Sequence, residues 1–172
     1  MHDEIKKFTQ NNNQVFVKKD KEIILLVGLQ GSGKSTYSDI LVNVHGYVRI
    51  NQDTLKTKSK CLTEAKKQMG LDASIVVDNT NSSKDTRAEY IKLAQKYNYT
   101  VRCFVFDVSL EFAMHNTTYR MYKYDKTSIP KIAYAMYKKY YVEPKKEEGI
   151  DSIEKIHPYI EKYESDYLMF LL

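Results

Sequence analysis

Residues 28–35 read Gly28-Leu29-Gln30-Gly31-Ser32-Gly33-Lys34-Ser35 and fill every position of the phosphate-binding pattern G-x-x-x-x-G-K-[ST]. Such a loop works in one local setting. A buried strand must deliver the chain to it, and a helix must leave it with its N-terminal N–H groups facing the anion. Both neighbours are present: Glu22 to Val27 is a short apolar run that ends at Gly28, and Lys34 to Val44 suits a helix. The loop therefore predicts an α/β fold whose first structural unit is strand, turn and helix.

The rest of the chain keeps that alternation. Strands are expected at Tyr47 to Asn51, Ser74 to Asp78 and Thr100 to Asp107. Helices are expected from Thr54 to Met69, from a cap at Ser82 or Ser83 to about Tyr97, and from Leu110 to Met121 behind a Ser109 cap. A further helix starts near Pro130 and runs to about Tyr141, and a last strand near Tyr167 to Leu171 would close the sheet. The pattern predicts a P-loop NTPase fold: a mainly parallel sheet with helices on both faces and a helical lid. One domain over 1–172 is expected, with 1–22 a loosely ordered lead-in that could hold an edge strand at Gln14 to Lys18.

Composition narrows the class further. Apolar content of 42% and charged content of 28% suit a globular domain, and no apolar run approaches the ~20 residues of a membrane helix. The expectation is an intracellular chain, cytoplasmic or nuclear, with no membrane partner. Cys61 and Cys103 lie far apart without CxxC spacing, which argues against a zinc site and for two reduced thiols. The net charge of +5 is unevenly spread: Tyr119 to Lys146 carries eight Lys or Arg against two acids, with seven tyrosines among them. That mixture suits a polyanion whose bases can stack on rings, and equally suits helices with tyrosines packed inward and lysines solvated.

The cradle residues Gly28, Gln30, Gly31, Ser32, Gly33, Lys34, Ser35 and Thr36 are the candidate ATP site. Lys34 would charge-balance the β- and γ-phosphates, and Ser35 would offer its hydroxyl to Mg²⁺. No Asn-Lys-x-Asp guanine motif is present, and the chain is short for a motor ATPase, so a kinase is favoured. A kinase needs a carboxylate beside the acceptor hydroxyl. Asp53, just past a strand end, could be that base or could simply cap the next helix. Asp78 ends a strand where a second Mg²⁺-holding acid belongs, and Asn79-Thr80-Asn81 either positions acceptor or phosphate or forms a plain Asx turn. Of the four arginines, Arg49, Arg87, Arg102 and Arg120, the last lies in the basic Tyr-rich region and is the candidate lid cation, whereas Arg87 and Arg102 read as structural.

With those residues in place, the chain resembles the kinase domain of polynucleotide kinase 3'-phosphatase and related 5'-hydroxyl polynucleotide kinases. The resemblance rests on VGLQGSGKST, GYVRINQDTL, VVDNTN, RCFVFDVSLEFAMHN and SIPKIAYAMYKKYYVEPKKEEG, in that order. It implies transfer of the ATP γ-phosphate to the 5'-hydroxyl of DNA or RNA in end repair, with Asp53 as general base. It also places the family's Asp-Asn-Thr-Asn turn on Asp78 to Asn81 and its basic lid segment on His115 to Arg120. The chain departs from the family at Gln52, where an acceptor-phosphate arginine is usual, and at Thr118, a lid arginine position. Lys60, beside Lys56 and Lys58, falls near a basic substrate position, so Gln52, Lys60, Asn79 and Asn81 are the candidate acceptor contacts. No Asp-x-Asp-x-Thr phosphatase motif occurs, and a phosphatase or ligase partner would be a separate domain or protein. A small-molecule or nucleoside kinase, and a non-catalytic ATP and nucleic-acid binding module, remain the alternatives at this level.

Overall fold

The structure, a computed structural model, describes residues 16–157. Five parallel strands stand in the order β2-β3-β1-β4-β5: β1 Glu22–Val27, β2 Val48–Ile50, β3 Ile75–Val77, β4 Thr100–Phe106 and β5 Ser152–Ile156. The helices between them are α1 Lys34–His45, α2 Gln52–Leu55, α3 Lys58–Gly70, α4 Lys84–Lys96, α5 Leu110–Tyr124 and α6 Lys131–Tyr140. β1 lies at the centre with every residue buried, which is why its sequence is a continuous apolar run instead of an alternating one. One sheet face packs Ile23, Leu25, Val27, Ile75 and Val77 against Ala65, Met69, Ile91 and Ala94 of α3 and α4. The other packs Ile24, Leu26, Val76 and Phe104 against Leu41 of α1.

Local chemistry explains the boundaries. The Ser83 hydroxyl accepts from Thr86 N at 3.2 Å and starts α4, so the second of two adjacent serines is the cap. The Ser109 hydroxyl accepts from Phe112 N at 3.1 Å and starts α5. Pro130 is the residue before α6.

Two expectations need correction, and a third lies outside the described residues. The single helix from Thr54 to Met69 is two: Lys56 adopts φ 72°, which ends α2, and Thr57 caps α3 by accepting from Lys60 N at 3.2 Å. The strand that completes the described sheet is β5, which pairs with β4 from Arg102↔Ser152 to Phe106↔Ile156. The strand expected at Tyr167 to Leu171 lies outside the described residues. Phe16 to Lys18 form no strand, and Gln14 and Val15 lie outside the described residues too. Phe16 is nevertheless anchored, its ring centroid 5.1 Å from the Arg102 guanidinium and 6.3 Å from the Phe104 ring.

Arg87 and Arg102 are both structural. Arg87, fully buried on α4, holds Glu148 at 2.7 Å, tying the turn after α6 to α4. Arg102 bridges Glu22 at 3.3 Å and Glu154 at 2.9 Å across β1, β4 and β5. Cys61 and Cys103 are buried free thiols. Among the described residues no helix is long and apolar enough to cross a membrane.

Candidate active site

Because every strand is parallel, β1, β2 and β3 release their next residues at the same edge of the sheet, and the strand order reverses direction around β1 there. The cradle leaves β1 at that edge. A Cβ on Gly28 would stand 2.7 Å from Ser32 Oγ and 2.9 Å from Phe106 Cβ, so the loop closes this tightly only around glycine. Gly31 at φ 81° and Gly33 at φ 94° take left-handed backbone, and a Cβ on Gly31 would meet the Ala113 carbonyl oxygen of α5 at 2.3 Å. The lid helix therefore rests directly on the loop, and Asn116 donates to the Gly31 carbonyl at 2.8 Å.

Lys34 opens α1 and is buried. Its Nζ donates to the Gly28 carbonyl at 2.8 Å, to the Leu29 carbonyl and to Ser32 Oγ at 3.3 Å. These three oxygens satisfy the ammonium from within the loop itself. Burial pushes the Lys34 pKa down to about 8; Asp78 holds it up and the charge of Arg120 adds repulsion. That effect also places Arg120, exposed on α5, within electrostatic reach of the cradle. Ser35 is partly exposed in the first turn of α1, followed by exposed Thr36. The Gln30 Oε1 atom is buried without a hydrogen-bond partner among the described residues.

Asp78 follows β3 and is 3% exposed. One of its carboxylate oxygens accepts from Arg49 of β2, whose other guanidinium nitrogen bonds Asp39 of α1 at 2.7 Å. Asn51 joins the same turn, donating to the Asp78 carbonyl at 2.7 Å while its Oδ1 accepts from Thr54 N at 3.1 Å. Asn51, not Asp53, is thus the cap of α2, and the capping alternative for Asp53 is removed. The Asp53 side chain is exposed, and among the described residues its carboxylate has no hydrogen-bond or ion-pair partner.

Asn79 Oδ1 accepts from Gln52 N at 2.9 Å. The turns after β2 and β3 are consequently one hydrogen-bonded corner beside Lys34. Asn81 is buried at φ 43° and donates to the Leu26 carbonyl at 2.8 Å and the Val77 carbonyl at 3.3 Å. Its amide is committed to the strand ends. Gln52 and Lys60 are exposed on α2 and in the first turn of α3, and no side-chain contact joins either to Asp53 among the described residues.

Arg49 and Asn51 are the site residues that sequence reasoning left without a role. Asn51 carried a signal, an Asn at a strand end three residues before Thr54 N. Arg49 carried none, because its partners arrive from α1 and β3.

The residues fit a nucleoside triphosphate: glycines at left-handed positions, a buried lysine facing oxygen acceptors, and a helix N-terminus at the loop. Ser35 and Asp78 are the donors suited to a divalent cation that also takes phosphate and water oxygens, so an all-protein cage is not needed. Among the described residues no group of three His, Cys, Asp or Glu side chains forms one.

Comparison with known proteins bears on the same region. A model of the AAA domain matches residues 23–144. The bifunctional polynucleotide phosphatase/kinase of Schizosaccharomyces pombe is 38% identical over 136 residues, covering 79% of this chain and 33% of that protein. A putative bifunctional polynucleotide phosphatase/kinase of Acanthamoeba polyphaga mimivirus is 39% identical over 154 residues, covering 87% of this chain and 36% of that protein. The chain thus spans about a third of the length of these curated relatives. Among solved structures, Chaetomium thermophilum Kti12 in complex with ADP-AlF3 shares the fold at a TM-score of 0.64 and 15% identity, covering 87% of this chain and 95% of that one. Cradle, parallel sheet and family match converge on one statement: the chain belongs to the AAA-domain family of P-loop proteins.

Proposed function

We propose that this chain is a polynucleotide 5'-hydroxyl kinase that moves the γ-phosphate of ATP to the 5' end of DNA or RNA. The observation that carries the proposal is the corner made by Asn51 and Asn79, which presents an uncommitted carboxylate, Asp53, beside the turn that holds Asp78 next to Lys34. The printed names of the two relatives support the choice of acceptor.

In this reading Lys34 and the loop N–H groups hold the β- and γ-phosphates, and Ser35 and Asp78 hold Mg²⁺. When bound, the ion neutralises charge on the phosphate oxygens. Asp53 accepts the proton of the 5'-hydroxyl as its oxygen attacks the γ-phosphorus; the bond from that phosphorus to the β,γ-bridging oxygen breaks, and ADP leaves. Arg120, on the α5 helix that packs on the loop, offsets charge on the transferring group. Gln52, Lys60, Asn79 and Asn81 were the acceptor candidates; of these Gln52 and Lys60 expose side chains able to meet a substrate, while Asn79 and Asn81 support the corner. The relatives' names pair a kinase with a phosphatase, and an end-repair role beside such a partner follows from the same reading.

The test is incubation with γ-labelled ATP, Mg²⁺ and matched oligonucleotides ending in 5'-hydroxyl or 5'-phosphate, beside a panel of nucleosides and small alcohols. Label on the 5'-hydroxyl oligonucleotide alone is expected. Label on the small acceptors but not the oligonucleotide would replace the proposal with a small-molecule kinase.

A further inference from the structure

The outer faces of α3 and α4 enclose a groove of about 660 Å³ that no step above uses. Its floor is apolar, formed by Leu62 and Leu93, both of which pack inward against the core. Its walls carry Lys58, Lys66, Lys92 and Lys96, with Glu89 as the lining acid. Glu89 is already paired with Lys58 at 2.8 Å. Lys66, Lys92 and Lys96 are exposed and have no carboxylate partner among the described residues, so three positive charges line one groove uncompensated.

Lys92 and Lys96 are one helical turn apart and present their charges along the same side of α4, with Lys66 facing them from α3. Aliphatic stems cover the apolar floor while the ammonium groups stay in water, an arrangement suited to a flexible polyanion at the rim. Its position narrows the choice. α3 begins at Lys58, two residues after Lys56, whose Nζ donates to the Asp53 carbonyl at 2.7 Å, so the groove starts near the acceptor corner and leads away from it. From Lys58 to Lys66 the helix rises ~12 Å, room for on the order of three phosphates of one strand.

We propose that this groove is a rail for the phosphodiester backbone of the acceptor strand, held by Lys66, Lys92 and Lys96 downstream of the 5'-terminal nucleotide. The proposal rests on the polynucleotide reading above and extends it from the reacting end to the chain behind it. Short acceptors would use the corner alone; longer ones would also use the rail.

The experiment compares the native chain with a Lys66→Gln, Lys92→Gln, Lys96→Gln variant of matched melting temperature, on a 5'-hydroxyl dinucleotide and a 5'-hydroxyl 12-mer, across a salt series. Neutralising about three phosphates of a single strand contributes ~0.7 each to the log–log salt slope. The variant should therefore show a KM for the 12-mer that is about 2 units less steep in salt, with kcat unchanged and the dinucleotide and ATP unaffected. Equal slopes for variant and native chain, or equal weakening on both acceptors, would overturn the rail. If the native chain labels neither acceptor, the kinase reading fails, and anisotropy of a fluorescent 12-mer then decides the groove separately: lysine-dependent binding supports it and lysine-independent binding overturns it.

Discussion

Lys34 makes the cradle sensitive to pH, and the sign follows from its environment. Burial disfavours its charged form, so the free protein holds the proton only below about 8, whereas bound phosphate restores the preference for the ammonium. Raising the pH from 7 to 9 should therefore weaken ATP binding by about tenfold as the free protein loses the proton that the complex needs. Calorimetry should show proton uptake on binding near pH 8, and Lys34→Met should flatten the profile while weakening binding throughout. Asn51 offers a second residue-level test. Its amide caps α2 and grips the Asp78 carbonyl, so Asn51→Ala should cost about 1 kcal/mol of stability and lower kcat at least tenfold with ATP affinity little changed. The cradle was legible residue by residue because its glycines answer to backbone conformations that few other residues accept. Arg49 was illegible for the opposite reason, since its role comes from Asp39 and Asp78, which lie in other elements.

At the scale of elements, the strands through β4 were readable, the edge strand β2 among them, and β5 was not. β1, β3 and β4 are mostly apolar because both faces are covered, with the Glu22–Arg102 pair the buried charge they carry. β5, Ser-Ile-Glu-Lys-Ile, mixes charge with apolar residues because it lies at the edge of the described sheet, so nothing in its composition separates it from a loop. The division of α2 from α3 was hidden as well, because Lys56 takes a left-handed conformation that its side chain does nothing to advertise. The turn leading into β5 depends on Arg87 and Glu148, a pair with side-chain exposures of 0% and 5%. Glu148→Ala would leave the Arg87 guanidinium buried without its carboxylate, and chemical denaturation should register a loss of about 3–5 kcal/mol. Nucleotide affinity of the folded fraction should stay unchanged, since neither side chain bonds a cradle residue. A loss under 1 kcal/mol would show that water enters the site when the carboxylate is removed.

Across the whole molecule, strand order does the assembly. With β3 between β2 and β1, the turns that carry Asp53 and Asp78 leave the same sheet edge as the loop that carries Lys34. The lid closes over that edge because α5 packs against Gly31 and α6 is tied to it by the 2.6 Å contact between Thr117 Oγ1 and the Tyr134 hydroxyl. The basic, tyrosine-rich stretch that stood out in the sequence packs part of its tyrosines inward, as its packing reading expects. Tyr119 and Tyr134 are buried, while Tyr122, Tyr124 and Tyr140 are exposed, the Lys123 ammonium lying 5.8 Å from the Tyr124 ring centroid and that of Lys139 5.4 Å from the Tyr140 centroid. The central claim is that the exposed carboxylate at this shared edge takes the proton of the acceptor. Single-turnover phosphorylation of a 5'-hydroxyl oligonucleotide by an Asp53→Asn variant tests it most directly. A general base at Asp53 requires a rate at least ~100-fold below that of the native chain with the ATP dissociation constant unchanged; a rate within twofold of the native chain would rule that role out.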